Sequence, residues 1–263
     1  MKVSLRHFPL LVAAGAAFIS SRLHAATPDF SEGVWTAAPA LTSHYLFRGV
    51  ELADTCFQPW IDYTAGPLSL GLWTSTASRD RVSGDSDPEL DLYGSYAFQV
   101  ADGALSLVPG FYLYTFPDAK RARGVYPATF EPSMAAVFTV RGVQFTPKIY
   151  YDMMLRGATY EATAAIAVPL KSLGTELDFN AVIGTYKWND FTADAAPAVK
   201  NWGDYWSLGV AIPVQFSGRS KVTIGFMYSE GRHNYYKKGI LPKTVNDAAG
   251  AHTALTLTYA LSL

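Results

Sequence analysis

The residues able to do chemistry in this chain are few and far apart. Behind an N-terminal stretch that would carry away His7 and His24, the histidines are His44, His233 and His252. A serine hydrolase needs a nucleophile within reach of a base that a third group orients. No Gly-x-Ser-x-Gly and no His-x-Ser pattern surrounds a serine here. The one cysteine, Cys56, has no Cys or His partner at ligand spacing, and the histidines are scattered, so neither zinc nor copper is expected. Asp80, Asp85 and Asp87 could meet calcium, but an acidic loop reads equally as a solvated one. Glu176 and Asp178 share a face by alternation alone, and acid–base work would need a substrate that nothing in the sequence identifies. The residues therefore predict no catalytic group, cofactor or metal.

A second set of polar residues alternates with apolar ones. Arg48, Gln58, Asp62, Glu89, Asp91, Tyr93, Tyr112, Tyr114, Glu131, Lys148, Asp152, Glu161, Glu176 and Asp178 are the candidates to line an interior, with His44, Trp60, Tyr150 and Lys221 beside them. Charges opposite an apolar face need water or one another, so a hydrated or salt-bridged interior follows. Eight carboxylates in that set face three permanent cations, Arg48, Lys148 and Lys221. Arg48 could hold an anionic solute bidentately, or pair structurally with a carboxylate such as Asp62 or Glu89.

The elements that must position these residues are strands. In the last nine positions Leu255, Leu257, Tyr259, Leu261 and Leu263 alternate with Thr256, Thr258, Ala260 and Ser262, a period of two. Residues 174–187 repeat the pattern. Gly, Pro and Asp clusters as strand ends give twelve strands, at 33–49, 56–65, 68–78, 88–99, 104–116, 128–140, 143–155, 158–170, 174–187, 202–215, 219–230 and 250–263. Short connections such as Arg141-Gly142 and Ser217-Gly218 alternate with mostly longer ones at 79–87, 117–127, 188–201 and 231–249, although 50–55 is modest and Arg156-Gly157 is itself tight. That layout predicts an all-β, up-and-down transmembrane barrel of about twelve antiparallel strands, with both termini on the short-turn side. Closure removes the strand edges that lipid could not satisfy. Tyr45, Phe47, Phe57, Phe130, Tyr160, Trp206 and Tyr228 would form one aromatic girdle, and Trp35, Tyr63, Phe98, Phe145 and Phe216 the other, with Phe111 an exception at mid-strand.

Composition agrees. Only 16% of residues are charged while 14% are aromatic, and the mean hydropathy of +0.09 shows apolar residues spread out rather than gathered. Lys2, Arg6 and His7, the apolar run from Phe8 to Ile19 and His24-Ala25-Ala26 read as a secretory signal peptide over residues 1–25, leaving 26–263 as one barrel domain. The mature chain would carry 18 basic against 22 acidic residues, which suits no nucleic-acid partner. With a single cysteine, no internal disulfide can brace it.

The run Leu41-Thr42-Ser43-His44-Tyr45-Leu46-Phe47-Arg48-Gly49-Val50 resembles the signature near the mature N-terminus of the TorF family of bacterial outer-membrane porins. Gln58, Asp62-Tyr63, Gly71-Leu72-Trp73 and Glu89-Leu90-Asp91-Leu92-Tyr93 continue the resemblance, which covers about residues 38–96. Glu51-Leu52 stands where that family commonly has Ser-Gln. The resemblance implies a barrel and a pore, and supplies no catalytic residues.

The expected function is a narrow passive channel for small hydrophilic solutes or ions in a Gram-negative outer membrane, reached by the general secretory route. A non-conducting structural or interaction barrel is the alternative, and a barrel hydrolase has less support. Expected partners are outer-membrane lipids, including lipopolysaccharide facing the basic loop residues Lys120, Arg121, Arg123, Arg232, Lys237, Lys238 and Lys243, and the barrel-insertion machinery that would read the final strand. The residues leave the oligomeric state open.

Overall fold

A computed structural model describes residues 33–78, 88–118, 127–187, 202–232 and 250–263. The expected leader lies outside them, as do Asp80, Asp85, Asp87, Lys120, Arg121, Arg123, His233, Lys237, Lys238 and Lys243. In chain order the strands are β1 (Val34–Ala38), β2 (Ala40–Thr42), β3 (Tyr45–Phe47), β4 (Val50–Ala53), β5 (Cys56–Phe57), β6 (Trp60–Ala65), β7 (Leu68–Ala77), β8 (Glu89–Tyr96), β9 (Phe98–Val100), β10 (Leu105–Thr115), β11 (Ala128–Val140), β12 (Val143–Asp152), β13 (Gly157–Leu170), β14 (Thr175–Lys187), β15 (Trp202–Gln215), β16 (Ser220–Arg232) and β17 (Ala251–Ser262).

All pairings are antiparallel, and β17 closes the sheet on β1 and β2 through Thr36↔Ser262 and Leu41↔Leu257. Three staves are interrupted. Pro39 and Pro59 have no N–H to give the ladder, yet their carbonyls still accept from Tyr259 at 3.0 Å and Thr74 at 3.1 Å. The third break is bridged by Ala97 N–H to Pro67 O at 3.0 Å. With β1–β2, β5–β6 and β8–β9 each taken as one stave, the barrel has twelve. Eleven of them follow the expected strands closely. The exception is the first, which leaves the wall after Thr42 instead of running to Gly49.

The faces separate as a period of two requires. On β17 Leu255 and Leu257 are at least half exposed, while Ala254 and Thr256 are buried. On β8 Glu89, Asp91 and Tyr93 are buried, while Leu90 and Leu92 are exposed. Trp35, Phe57, Phe98, Phe130, Phe145, Tyr160 and Phe216 are all exposed large rings. A continuous apolar outer surface around a polar interior is unstable in water and is satisfied by hydrocarbon.

Candidate functional site

Residues 43–53 fold inward. Two positive-φ residues, Arg48 at 48° and Gly49 at 78°, make the two-residue turn whose twist suits a tight hairpin, and β3 pairs with β4 across it. Leu46 and Val50 are buried. Tyr45 and Phe47, expected in an outer girdle, instead point into the barrel: Tyr45 packs on Trp73 of β7 and Phe47 on Tyr114 of β10. Gly49 lies so near the opposite wall that a Cβ there would sit 2.6 Å from the Gly231 Cα of β16. The hairpin thus touches staves around the circumference, at the end where the longer connections lie.

Its tip is latched. Arg48 Nη1 and Nη2 donate to Glu131 Oε1 and Oε2 of β11, both at 2.8 Å, and Tyr114 Oη donates to Glu131 Oε2 at 3.1 Å. The guanidinium also lies 4.7 Å from the centre of the Phe47 ring and 4.9 Å from that of Tyr150. A structural pairing of Arg48 was one of the two expectations, but the partner is Glu131 rather than Asp62 or Glu89, because the hairpin carries Arg48 across the barrel.

Around this latch the wall side chains form a lattice. Lys148 Nζ donates to Tyr112 Oη at 3.1 Å and lies 4.7 and 4.5 Å from the Tyr112 and Tyr150 ring centres. Tyr150 and Tyr205 donate to the two oxygens of Glu161 at 3.3 and 2.8 Å. One arrangement occurs twice. Asp62, Gly71 and Tyr93 are register partners on three successive staves, as are Glu161, Gly184 and Tyr205. In each, the tyrosine lies flat over the glycine, where a Cβ would overlap its ring, and its hydroxyl donates to the acid two staves away.

Of the other candidate residues, Gln58 is buried and donates to Ser75 Oγ at 3.2 Å. Asp152 is buried, taking Thr129 Oγ1 at 2.6 Å and the Met154 and Leu155 amides. Asp178 is buried and accepts no hydrogen bond among the described residues, while Glu176 and Lys221 are half-buried nearer the other end. Trp60 is half-buried on β6.

Sequence reasoning missed Tyr186, Tyr205, Glu51 and His252. Tyr205 was deducible, since an outward Trp206 puts its neighbour inside. Glu51 is buried, and its Oε2 meets His252 Nδ1 at 2.6 Å. Histidines 208 residues apart in sequence converge on it, with His44 Nε2 at 4.0 Å from Oε1. A serine also approaches a histidine here: Ser43 Oγ and His44 Nδ1 are 3.0 Å apart. That hydroxyl already accepts the Leu255 N–H at 2.9 Å, and 4.0 Å leaves His44 and Glu51 outside hydrogen-bond reach, so the three do not form an oriented hydrolase triad.

Residues 25–258 match the model of a family described as a bacterial protein of unknown function, Gcw_chp. The chain belongs to that family. No curated protein sequence matches it. Among solved structures it resembles the KdgM porin in complex with disordered oligogalacturonate, at 9% identity and a TM-score of 0.53, over 88% of this chain and 99% of that one. It resembles the NanC porin at 10% identity and a TM-score of 0.52, over 87% and 100%. The COG4313 outer membrane channel from Pseudomonas putida F1 aligns at 11% identity and a TM-score of 0.52, over 88% and 94%. At such identities the likeness is one of fold.

Proposed function

We propose that this Gcw_chp protein is an outer-membrane channel of the porin type, exported with residues 1–25 as its leader, that passes small hydrophilic solutes or ions with a mild preference for cations. Membership of the TorF porins, contact with lipopolysaccharide and insertion by the barrel-assembly machinery belong to the same reading. The observation that carries it is the two-faced wall: a closed twelve-stave barrel, apolar outside and lined within by carboxylates, tyrosines and few cations. With Arg48 and Glu131 neutralising each other, the acids Asp62, Glu89, Asp91, Asp152, Glu161, Glu176 and Asp178 stand against Lys148 and Lys221. Rings of acids favour cations, and low-dielectric walls focus their field. That balance argues against carrying over the oligogalacturonate of KdgM, a polymer of acidic sugar.

The inward hairpin favours a second reading, a non-conducting structural or interaction barrel, since side chains can fill a barrel of this size. Planar-bilayer recording on the refolded chain decides between them. A channel of the proposed kind gives discrete conductance and a reversal potential displaced toward the cation equilibrium potential in a salt gradient. A clear anion preference would overturn the account of the interior. Folded, inserted barrels without conductance would support the second reading.

A further inference from the structure

We propose that His44, Glu51 and Asp54 form a binding site for a divalent transition metal of the zinc class at the base of the inward hairpin. One ligand atom from each of the three lies within 4.8 Å of the others. The local sequence brings this about. Opposite Leu46 stands Glu51, but Tyr45 stands opposite Ala53, so Leu52 is the extra residue of a bulge. Without the bulge Glu51 and Asp54, three residues apart, would point to opposite faces. With it they share one face, and His44, the residue before Tyr45, falls opposite Asp54.

The surroundings are those of a held site. Ser43 Oγ engages His44 Nδ1 at 3.0 Å, leaving Nε2 as the ring atom turned toward Glu51. His252 Nδ1 meets Glu51 Oε2 at 2.6 Å, the kind of outer contact that orients a ligating carboxylate. Thr42 Oγ1 donates to His44 O and Cys56 Sγ to Asp54 O, both at 2.9 Å, fixing the backbone on each side of the hairpin base. The His44 side chain is 38% exposed, so an ion can reach it. One imidazole with two carboxylates is a borderline donor set suited to zinc, with water in the fourth position, rather than an all-oxygen calcium cage. Ligand atoms around zinc stand roughly 3.3 Å apart at bond lengths of about 2.0–2.1 Å, so side-chain rotation closes the present separations. The site does not depend on whether the barrel conducts.

The test is calorimetric titration of zinc chloride into the folded, detergent-solubilised full chain carrying no histidine tag, with cobalt absorption as a second readout. The expected result is one ion per chain, with affinity about tenfold or more weaker in His44→Ala and in Asp54→Asn, and a tetrahedral cobalt spectrum lost in both. Asp54→Asn is nearly isosteric and carries the test alone if His44→Ala does not fold. Absence of saturable one-to-one binding to the wild type, or unchanged affinity in the folded variants, overturns the proposal.

Discussion

Replacing Arg48 by alanine should free the hairpin while leaving the barrel intact. The wild-type pair is bidentate at 2.8 Å, with the Arg48 side chain 6% and that of Glu131 1% exposed. Deleting one partner of a buried pair costs ~3–5 kcal/mol, because the other charge is left without compensation. Tyr114 still donates to Glu131, which argues for the lower end. About 3 kcal/mol is roughly a hundredfold in the docking equilibrium of the hairpin. None of the wall ladders involves Arg48, so global resistance to heat should barely change. Hydrogen exchange reads the difference directly: amides in 45–53 should exchange roughly a hundredfold faster, while those of β14 and β15 keep their rates. Arg48→Lys should recover only part of the protection, since an ammonium cannot reproduce the two-pronged contact. If Arg48→Ala left hairpin protection within about threefold of wild type, the latch would contribute far less than its burial and geometry imply, and the reasoning from the Arg48–Glu131 contact to hairpin docking would fail.

Gly49→Val should undock the same hairpin from the other side, because φ is +78° there and the added Cβ would lie 2.6 Å from Gly231 Cα and Tyr205 Cβ; faster exchange over 45–53 with unchanged heat-modifiable migration on gels is the expected result, and wild-type exchange would contradict it. Deleting residues 255–263 removes most of β17, which pairs with β16 on one side and with β1 and β2 on the other. The truncated chain should neither insert into membranes nor show heat-modifiable migration, and normal insertion would refute the role given to that strand.

The wall was legible in the sequence because two independent signals coincide on it: a period of two along each strand, and turn residues between strands. Arg141-Gly142 illustrates the second, with φ of 50° and 85° in the tight turn expected there. The hairpin was not legible by the same means. Leu41, Tyr45 and Phe47 fall on one face of a period of two, and alternation describes a strand turned inward as readily as one facing lipid. The distinguishing mark was the Arg48-Gly49 pair, a hairpin-turn signal that was absorbed into a long first strand. Its partner Glu131 lies 83 residues away, beyond the reach of any local pattern. The grouping of His44, Glu51 and Asp54 was hidden for a related reason, since it depends on a bulge at Leu52 that spacing alone does not disclose.

The two acid–glycine–tyrosine triplets help to explain why the wall is held more firmly than the hairpin inside it. Each triplet ties three successive staves through a hydroxyl-to-carboxylate bond laid over a glycine, in addition to continuous backbone ladders. Displacing Tyr205 would break its bond to Glu161 and disturb the surface against which Gly49 packs. Apart from the bond of Ser43 N–H to Leu255 O at its base, the hairpin has its own short pairing of β3 with β4 and is held to the wall by side chains, among them the Arg48 fork, the Glu51–His252 contact and the rings of Tyr45 and Phe47. Losing one of these costs a few kcal/mol, whereas opening the wall would strand a row of backbone groups in hydrocarbon at several kcal/mol each. Residues 43–53 are therefore the less firmly held part of the interior, and the staves are its frame.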